Sequence, residues 1–343
     1  MISAPTNVAS LEWRWNGYSF KAMNTKIQTW LYSQTDGGVL VDVQRLFNSF
    51  EKRLSRFDPD SDLSKLNACE DSMFRASPIL LDAVETALWA AEISSGLYDP
   101  TILTELRQAG YDRSFETIPQ AAPLTKVSLT QSHSLQPTHR SGGADPARPY
   151  TFRSIWLDRP GREIHKPPAV QLDLGGMGKG WTVDRAADHL QGLGPFLINA
   201  GGDIYAYQSP PGWTGWDIDL IHPLKPAHFM ARVQLHQRAL ATSTIARRRW
   251  QHNGQTMHHL IDPRTGRPAQ TDALSVSVIT DRTVVAEVFA KVALILGAPA
   301  GLAYLERLPD VEGLIYTADS EIIYTSGFGP ILDRVDSQGY ESS

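Results

Sequence analysis

Gln171-Leu-Asp-Leu-Gly-Gly-Met-Gly-Lys-Gly-Trp-Thr-Val-Asp184 is the stretch of this chain that carries the strongest structural signal. Alternating apolar residues at its start predict a strand, four glycines follow within six residues, and a helical spacing of apolar residues comes next. Glycine lets backbone N–H groups approach a phosphate closely, and a helix N-terminus adds partial positive charge. Because Lys179 lies among the glycines and supplies a full charge, the segment predicts a site for a phosphate-bearing ligand.

Two standard phosphate-binding motifs do not match this segment. A P-loop requires Gly-x4-Gly-Lys-Ser/Thr, but Asp173 stands at the first glycine position and Gly180 at the hydroxyl position. The fingerprint Gly-x-Gly-x-x-Gly fails as well, since counting from Gly176 puts Trp181 at the last glycine. A glycine-rich turn that only packs a helix on a strand is therefore the alternative interpretation.

Composition excludes several classes of protein. The chain has 343 residues, 42% hydrophobic and 20% charged, which is enough for one large domain or two ordinary ones with a real core. A net charge of −5 without a basic run argues against nucleic acid as the main partner. The single cysteine, Cys69, excludes an internal disulfide framework and a cysteine-rich metal site. No apolar stretch reaches the about 18 residues of a membrane span, and no signal peptide or lipoprotein leader begins the chain, so we expect a cytoplasmic protein.

The patterning of polar and apolar residues predicts an α+β fold. A β-hairpin is predicted over 11–32, and helices are predicted over 41–54, 78–95, 180–192 and 283–296. Short strands are predicted over 155–157, 196–199, 216–221, 231–235, 274–278 and 314–317. This order favours antiparallel sheets covered by helices over a regular βαβ array.

Residues 119–150 differ from the rest of the chain because they are rich in proline, serine and threonine. Such a composition predicts a long loop inserted into a single domain that spans 1–343. A linker between two domains is the alternative, and it is disfavoured because ligand-binding motifs lie on both sides of the segment.

Two further motifs place polar side chains beside turns. In Leu197-Ile-Asn-Ala-Gly-Gly-Asp-Ile204 an apolar strand runs into a glycine turn, and in His258-His-Leu-Ile-Asp-Pro-Arg-Thr-Gly-Arg-Pro268 a strand ends in Asp-Pro. His259 and Asp262 can meet across the second turn. Taken alone, the first motif is equally consistent with an ordinary tight turn, and a lone His–Asp pair is more often structural than catalytic.

In their order along the chain, the motifs resemble those of the FAD:protein FMN transferases, the ApbE-like flavin transferase family. The resemblance rests on residues 23–25, 55–67, 96–101, 173–184, 199–203, 241–243, 259–266 and 285–297. It implies an ApbE-type fold of antiparallel sheets and helices around a central FAD cleft. It also implies an activity in which FAD is split and its FMN half is attached to a Thr or Ser of an acceptor flavoprotein, with magnesium required.

The resemblance assigns roles to individual residues. Contacts to the flavin or adenosine parts of FAD are implied for Met23, Phe57, Leu97, Tyr98 and Asp99. Contacts to the nucleotide and the walls of the cleft are implied for Asp173, Lys179, Asn199, Asp203 and the backbone of Ile261. His259 and Asp262 are implied at the reacting end, and the Gly176 carbonyl as one metal ligand.

The metal site is where this chain departs from the family pattern. The family helix reads Ala-Asp-Ala-x-x-Thr and uses the Asp and Thr as magnesium ligands, whereas this chain has Ala286-Glu-Val-Phe-Ala-Lys291. Glu287 keeps a carboxylate and is expected to remain a metal ligand, but the ammonium of Lys291 has three donors and no acceptor and cannot bind a metal. On such an apolar helix the pair is expected to face a cleft, with Lys291 in the place of magnesium and paired with Glu287 and the diphosphate.

A smaller departure lies at Thr244, where the family has glycine. The sequence thus favours an FAD:protein FMN transferase and leaves two alternatives open. One is a FAD-binding paralogue with lost or weakened metal-dependent catalysis, acting as a carrier or regulator. The other is a pyrophosphatase that cuts FAD to FMN and AMP without an acceptor.

Overall fold

The computed structural model describes residues 12–122, 124 and 148–335. The helices are α1 (Val39–Leu54), α2 (Asp62–Ala68), α3 (Pro78–Ile93), α4 (Leu103–Gln108), α5 (Gly178–Leu190), α6 (Thr283–Leu296) and α7 (Ala298–Leu305). Short 3₁₀ turns occupy Phe115–Thr117, Phe152–Ser154 and Gly329–Ile331.

The strands of the first half are β1 (Arg14–Ala22), β2 (Thr25–Ser33), β3 (Met73–Arg75), β4 (Trp156–Asp158), β5 (Glu163–His165), β6 (Phe196–Ala200), β7 (Asp203–Tyr207), β8 (Trp216–Ile221) and β9 (Phe229–Leu235). Those of the second half are β10 (Arg238–Thr244), β11 (Arg249–His252), β12 (Gln255–His258), β13 (Ile261–Asp262), β14 (Arg267–Pro268), β15 (Ala273–Thr280), β16 (Glu312–Thr317), β17 (Ile322–Tyr324) and β18 (Leu332–Val335).

An eight-stranded antiparallel sheet in the order β1-β2-β6-β7-β10-β15-β16-β17 forms the centre of the fold. Side chains alternate between its faces, as strand geometry requires. Along β6, Phe196 and Ile198 pack with α1 and α5, whereas Leu197 packs with β8 and β9 on the opposite face. Helices thus cover one face and the small sheet β18-β9-β8 covers the other, so all eight residues of β15 are buried.

Helices α5 and α6 cross at very short range. A Cβ built on Gly180 would lie 2.7 Å from the Thr283 carbonyl oxygen and 2.9 Å from Val284 Cα. The Asp184 carboxylate, one turn along α5, accepts hydrogen bonds from the N–H groups of Thr283 (2.8 Å) and Val284 (3.1 Å) and so caps the start of α6. This crossing fixes the position of α6 relative to the glycine segment.

The structure confirms the predicted class of fold, with antiparallel sheets covered by helices. The hairpin and the four predicted helices are present with ends shifted by a few residues, and each predicted strand matches β4, β6, β8, β9, β15 or β16. The short elements α4, α7, β7 and β10 were not predicted, because their apolar runs are too short for a periodic signal.

The strand predicted at the start of the glycine segment is wrong. Leu172 takes no part in a sheet; instead its N–H donates to Asn67 Oδ1 (2.7 Å) and its carbonyl accepts from Asn67 Nδ2 (2.8 Å). The Asn67 side chain therefore satisfies both backbone groups, as a neighbouring strand would. The helix that follows begins at Gly178, so Lys179 lies in its first turn.

The predicted insertion, 119–150, falls largely outside the described residues. Its first residues lie beside β11, where Ala121 N–H donates to the Arg249 carbonyl (3.0 Å). That it is an insertion in one domain spanning 1–343 stays a prediction. In the described residues, no helix combines the length and the apolar character that crossing a membrane requires.

We predict that Gly180→Ala destabilises the protein by about 1–3 kcal/mol, since the new methyl group must push α6 away from α5. Gly178→Ala is the matched control, because a Cβ at Gly178 meets no atom within 4 Å. The free energy of unfolding in urea measures both. Equal stabilities for the two variants would contradict the close crossing.

Candidate active site

Most of the motifs found in the sequence converge on one cavity. Its walls come from the β1–β2 turn, the end of α1 and the turn after it, the loop before α4, the glycine segment, the segment before β11, residues 259–263 and one face of α6. Met23 and Asn24, which form the β1–β2 turn, have φ values of 51° and 54°, so this turn holds two non-glycine residues in the left-handed region.

Most of the residues implied by the resemblance line this cavity. They are Met23, Phe57, Leu97, Tyr98, Asp99, Asp173, Gly176, Lys179, His259, Ile261 and Lys291. Glu287 pairs with Lys179 and Lys291, and Asp203 pairs with Lys179. Asn199 and Asp262 have other partners, described below.

Two lysines and two carboxylates form a buried cluster in the cavity wall. Lys179 Nζ donates to Asp203 Oδ2 and to Glu287 Oε1, the latter at 2.9 Å. Lys291 Nζ lies 3.1 Å from the same Glu287 Oε1, and Gly180 N–H donates to Glu287 Oε2 at 2.8 Å. The side chains of Glu287 and Asp203 are only 2% and 4% exposed, so the ammonium groups face the cavity and the carboxylates support them from behind.

The electrostatics of the cluster follow from burial and pairing. Burial opposes ionisation of Glu287, but the ammonium groups of Lys179 and Lys291 outweigh it and lower the pKa of Glu287. Burial also disfavours the charged form of Lys179, yet Asp203 and Glu287 raise the pKa of Lys179 above its ordinary value. Burial raises the pKa of Asp203 to about 6 in spite of Lys179. Lys179 is therefore a permanent cation in this wall.

A tight turn positions one member of this cluster, Asp203. The two-residue loop between β6 and β7 is Gly201–Gly202, with φ values of 67° and 102° that favour glycine. Asn199 Oδ1 accepts from Gly202 N–H at 2.9 Å, so the Asn199 side chain stabilises this loop. Asp203, the next residue along the chain, is thereby held against Lys179.

An aromatic wall lies on another side of the cavity. The Arg56 guanidinium carbon lies 4.2 Å from the centre of the Phe57 ring and 4.6 Å from that of Tyr111. Arg56 Nε is also 2.8 Å from Asp173 Oδ1, which ties this aromatic wall to the glycine segment. Flat aromatic rings and a planar cation together suit the stacking of a planar ligand.

Three polar atoms of the cavity are buried and lack a hydrogen-bond partner within the described part of the chain. They are the Tyr98 hydroxyl, Nη2 of Arg56 and Nδ1 of His259. Burial and the nearby carboxylates of Asp173, Glu287 and Asp99 raise the pKa of Tyr98, so its hydroxyl remains a donor. Since an unpaired buried polar atom costs about 1–3 kcal/mol, these atoms indicate a polar ligand.

His259 is held as a neutral imidazole. Burial, and after it the positive charges of Arg248 and neighbouring cations, lower the pKa of His259 well below its ordinary value. The two oxygens of Asp262 instead accept from Arg264, at 2.9 Å from Nε and 2.8 Å from Nη2. The structure thus brings His259 into the cavity, while the Asp262 carboxylate is turned to Arg264 and makes no hydrogen bond to His259.

Several residues of the site were not among those predicted. Arg56 and Tyr111 belong to the aromatic wall, and Arg248 lines the cavity without an ion-pair partner among the described residues. Arg148, at the end of the predicted insertion, anchors the cavity wall by pairing with Glu105 (2.8 Å) and the Pro263 carbonyl (3.0 Å). The run Arg247-Arg248-Arg249 is the sequence signal that could have found Arg248.

The atoms available as metal ligands here do not suit a divalent cation. Both oxygens of Glu287 already accept hydrogen bonds, and Lys291 offers only donors. Within the described ranges, no three His, Cys, Asp or Glu side chains are grouped closely enough to hold a metal ion. The position that the resemblance gives to a metal is thus surrounded by ammonium groups.

The cavity combines an aromatic wall, a cationic wall and unpaired polar atoms, and this lining suits an aromatic nucleotide. The family model described as the ApbE family matches residues 23–315, and the chain belongs to that family.

Relatives and solved structures agree with this assignment. A FAD:protein FMN transferase of Treponema pallidum is 30% identical over 317 residues, covering 86% of this chain and 81% of its own length. A protein of the same name from Klebsiella pneumoniae is 25% identical, covering 94% of this chain and 96% of its own length. The ApbE protein of Thermotoga maritima has a TM-score of 0.77 at 19% identity, and the flavin transferase ApbE from Vibrio cholerae has 0.72 at 22%. Each structure is matched over its full length and covers 94% of this chain, which shows the shared fold.

We predict that acid weakens the fold through His258, the neighbour of the cavity residue His259. Its Nδ1 accepts from Leu260 N–H (3.3 Å), its Nε2 lies 3.0 Å from the Ala269 carbonyl, and burial lowers the pKa of His258 from 6.5 to about 4. Between these values the unfolded chain binds a proton that the folded protein does not, so stability falls as the pH drops below about 6.5. When the pH is lowered from about 7.5 to about 5, the free energy of unfolding of His258→Gln should fall by roughly 1–2 kcal/mol less than that of the unmodified protein.

Urea unfolding at both pH values measures this difference. Identical losses of stability for His258→Gln and the unmodified protein would show that the His258 ring does not titrate with folding.

Proposed function

We propose that this chain is an FAD:protein FMN transferase, which splits FAD and attaches the FMN half through a phosphoester to a Thr or Ser of an acceptor flavoprotein. One observation carries the proposal: a single cavity combines the aromatic wall of Phe57 and Tyr111 with the ammonium groups of Lys179 and Lys291. FAD has planar rings joined by a diphosphate. The aromatic wall is complementary to the rings, and the ammonium groups are complementary to the diphosphate.

The cationic wall suits the diphosphate. Lys179 and Lys291 present ammonium groups whose positions are fixed by Glu287, and Arg248 adds a guanidinium with no ion-pair partner in the described residues. Fixed cations that face the phosphorus oxygens need no reorganisation when charge develops there, which is the main source of catalysis in phosphoryl transfer.

The aromatic wall suits the ring systems. Phe57 and Tyr111 offer faces for stacking, and the buried hydroxyl of Tyr98 offers a hydrogen bond that it lacks in the free protein. Gly176 leaves room for this tyrosine, since a Cβ there would lie 2.9 Å from Tyr98 Cε2. A larger residue at position 176 would therefore displace Tyr98.

We assign the proton transfer to His259. In the proposed reaction the acceptor hydroxyl oxygen forms a bond to the phosphorus of the FMN half, and the bond from that phosphorus to the bridging oxygen breaks, so AMP leaves. The hydroxyl proton passes to Nδ1 of His259, which is neutral and unpaired. A bound diphosphate offsets the cations that lower the pKa of His259, and this raises the basicity of the ring when substrate is present.

The resemblance also implies magnesium, but the residues present do not suit it, because Glu287 is saturated by donors and Lys291 is a cation. No step above depends on a metal. A cytoplasmic location and an acceptor flavoprotein with a target Thr or Ser stay predictions.

The proposed activity is tested by mixing the protein with FAD and an acceptor domain that carries the target threonine, in EDTA and in Mg²⁺. In-gel flavin fluorescence measures covalent flavin, and chromatography measures AMP. We expect one AMP for each flavin attached, and no attachment to an acceptor with Thr→Ala. AMP without attachment would indicate a pyrophosphatase, and FAD that is bound but unchanged would indicate a carrier.

His259→Gln separates binding from chemistry in the same assay. Glutamine cannot accept the hydroxyl proton as a base, so the rate of flavin attachment should fall about 10²-fold while the affinity for FAD changes little. An unchanged rate would exclude His259 as the proton acceptor.

We further predict that Arg248→Gln weakens FAD binding about tenfold, because a charge-assisted contact to the diphosphate is lost. Arg247→Gln is the matched control, since Arg247 is exposed and does not line the cavity. Fluorescence titration with FAD and with riboflavin, which lacks phosphate, measures the effect. Equal weakening of both ligands would show that Arg248 does not act on the phosphates.

A further inference from the structure

The cavity wall contains a cation that belongs to the protein itself. Lys291 Nζ lies 3.1 Å from Glu287 Oε1 and 3.4 Å from the Glu287 carbonyl, and the Lys291 side chain is part of the cavity lining. Glu287 in turn is held by Lys179 and by Gly180 N–H. The Lys291 ammonium is therefore fixed in position beside the ammonium of Lys179.

Burial argues that this arrangement has a role beyond stability. Most other residues of α6 are apolar and buried, including Val284, Val288 and Val292. Taking an ion pair out of water costs several kcal/mol per ion, and apolar residues of similar volume are often no less stable in its place. An ion pair on this helix whose cationic end faces a cavity is thus best explained by an anionic ligand.

We propose that Lys291 is a built-in cation that takes the place of a divalent metal, so that this chain binds FAD independently of Mg²⁺. The proposal rests on the proposed function, in that FAD is taken as the ligand. It concerns how the diphosphate is neutralised: the Lys291 ammonium supplies one positive charge, as a point charge, where the metal would supply two, and it lies beside the charge of Lys179.

Lys291 and a divalent cation exclude each other at this position. A metal ion that reached Glu287 Oε1 would have to displace the Lys291 ammonium from a 3.1 Å contact or lie next to it as a like charge. Replacing Lys291 by threonine removes this cation and adds a hydroxyl oxygen that can accept a metal. The Lys291→Thr variant should therefore acquire a dependence on divalent metal that the unmodified protein lacks.

The test measures the affinity for FAD by isothermal titration, in EDTA and in excess Mg²⁺, so it needs no turnover. Lys52→Thr is the matched control, because it makes the same substitution at an exposed position on α1. Riboflavin serves as a ligand without phosphate. Circular dichroism establishes that each variant is folded before titration.

We expect the unmodified protein and Lys52→Thr to bind FAD with dissociation constants that differ by less than about twofold between the two media. Lys291→Thr should bind FAD about tenfold or more weakly in EDTA, recover about fivefold or more in Mg²⁺, and bind riboflavin normally. A gain of about tenfold in FAD affinity with Mg²⁺ for the unmodified protein would overturn the proposal. Equal FAD affinity of Lys291→Thr and the unmodified protein in EDTA would overturn it too.

These outcomes are distinct from failure of the proposed function. If the unmodified protein binds no FAD in either medium, both proposals are wrong. If it binds FAD only with Mg²⁺, the assignment of FAD stands and the built-in cation does not. The result for the unmodified protein decides the question even if Lys291→Thr fails to fold.

Discussion

The carboxylate of Glu287 is the point on which the site depends, because it joins three parts of the fold at once. One oxygen receives the ammonium groups of Lys179 and Lys291, and the other receives the backbone N–H of Gly180. Through Lys179 the contact continues to Asp203 at the start of β7. Removing one member of such a buried network leaves an uncompensated charge, which is far more costly than the network is stabilising. The cluster therefore holds α5, α6 and the central sheet in one relative position.

Close approach of the backbones makes this network possible. The carboxylate of Glu287 reaches the N–H of Gly180 only because α5 carries no side chain where it meets Thr283. Gly180, one of the glycines that resemble a phosphate-binding loop in sequence, thus acts by bringing two helices together. Its effect on a ligand is indirect, since the helix contact sets the two ammonium groups against the cavity. In the proposed function, the phosphates are therefore recognised by side-chain charge rather than by a cradle of backbone N–H groups.

Local patterns were predictable from the sequence, and long-range partners were not. The helix with Val284 and Val288 and the β1–β2 hairpin follow from periodicity within a few residues. The strand at Leu172 was predicted wrongly because Asn67, remote in the chain, satisfies its backbone groups. Arg56 and Tyr111 escaped prediction for the same reason, since no pattern links them before the chain folds. The resemblance located most cavity residues, but it did not indicate that the Asp262 carboxylate pairs with Arg264.

The turn between β1 and β2 restricts which amino-acid substitutions this site tolerates. Met23 and Asn24 both adopt left-handed backbone angles, which β-branched residues strongly disfavour. The two flanking strands are paired over their whole length and hold the turn in this conformation. A residue at position 23 must therefore tolerate a left-handed backbone conformation as well as fit the lining of the cavity. Valine, isoleucine and threonine are therefore disfavoured at position 23, and unbranched, small or amide side chains suit the turn better.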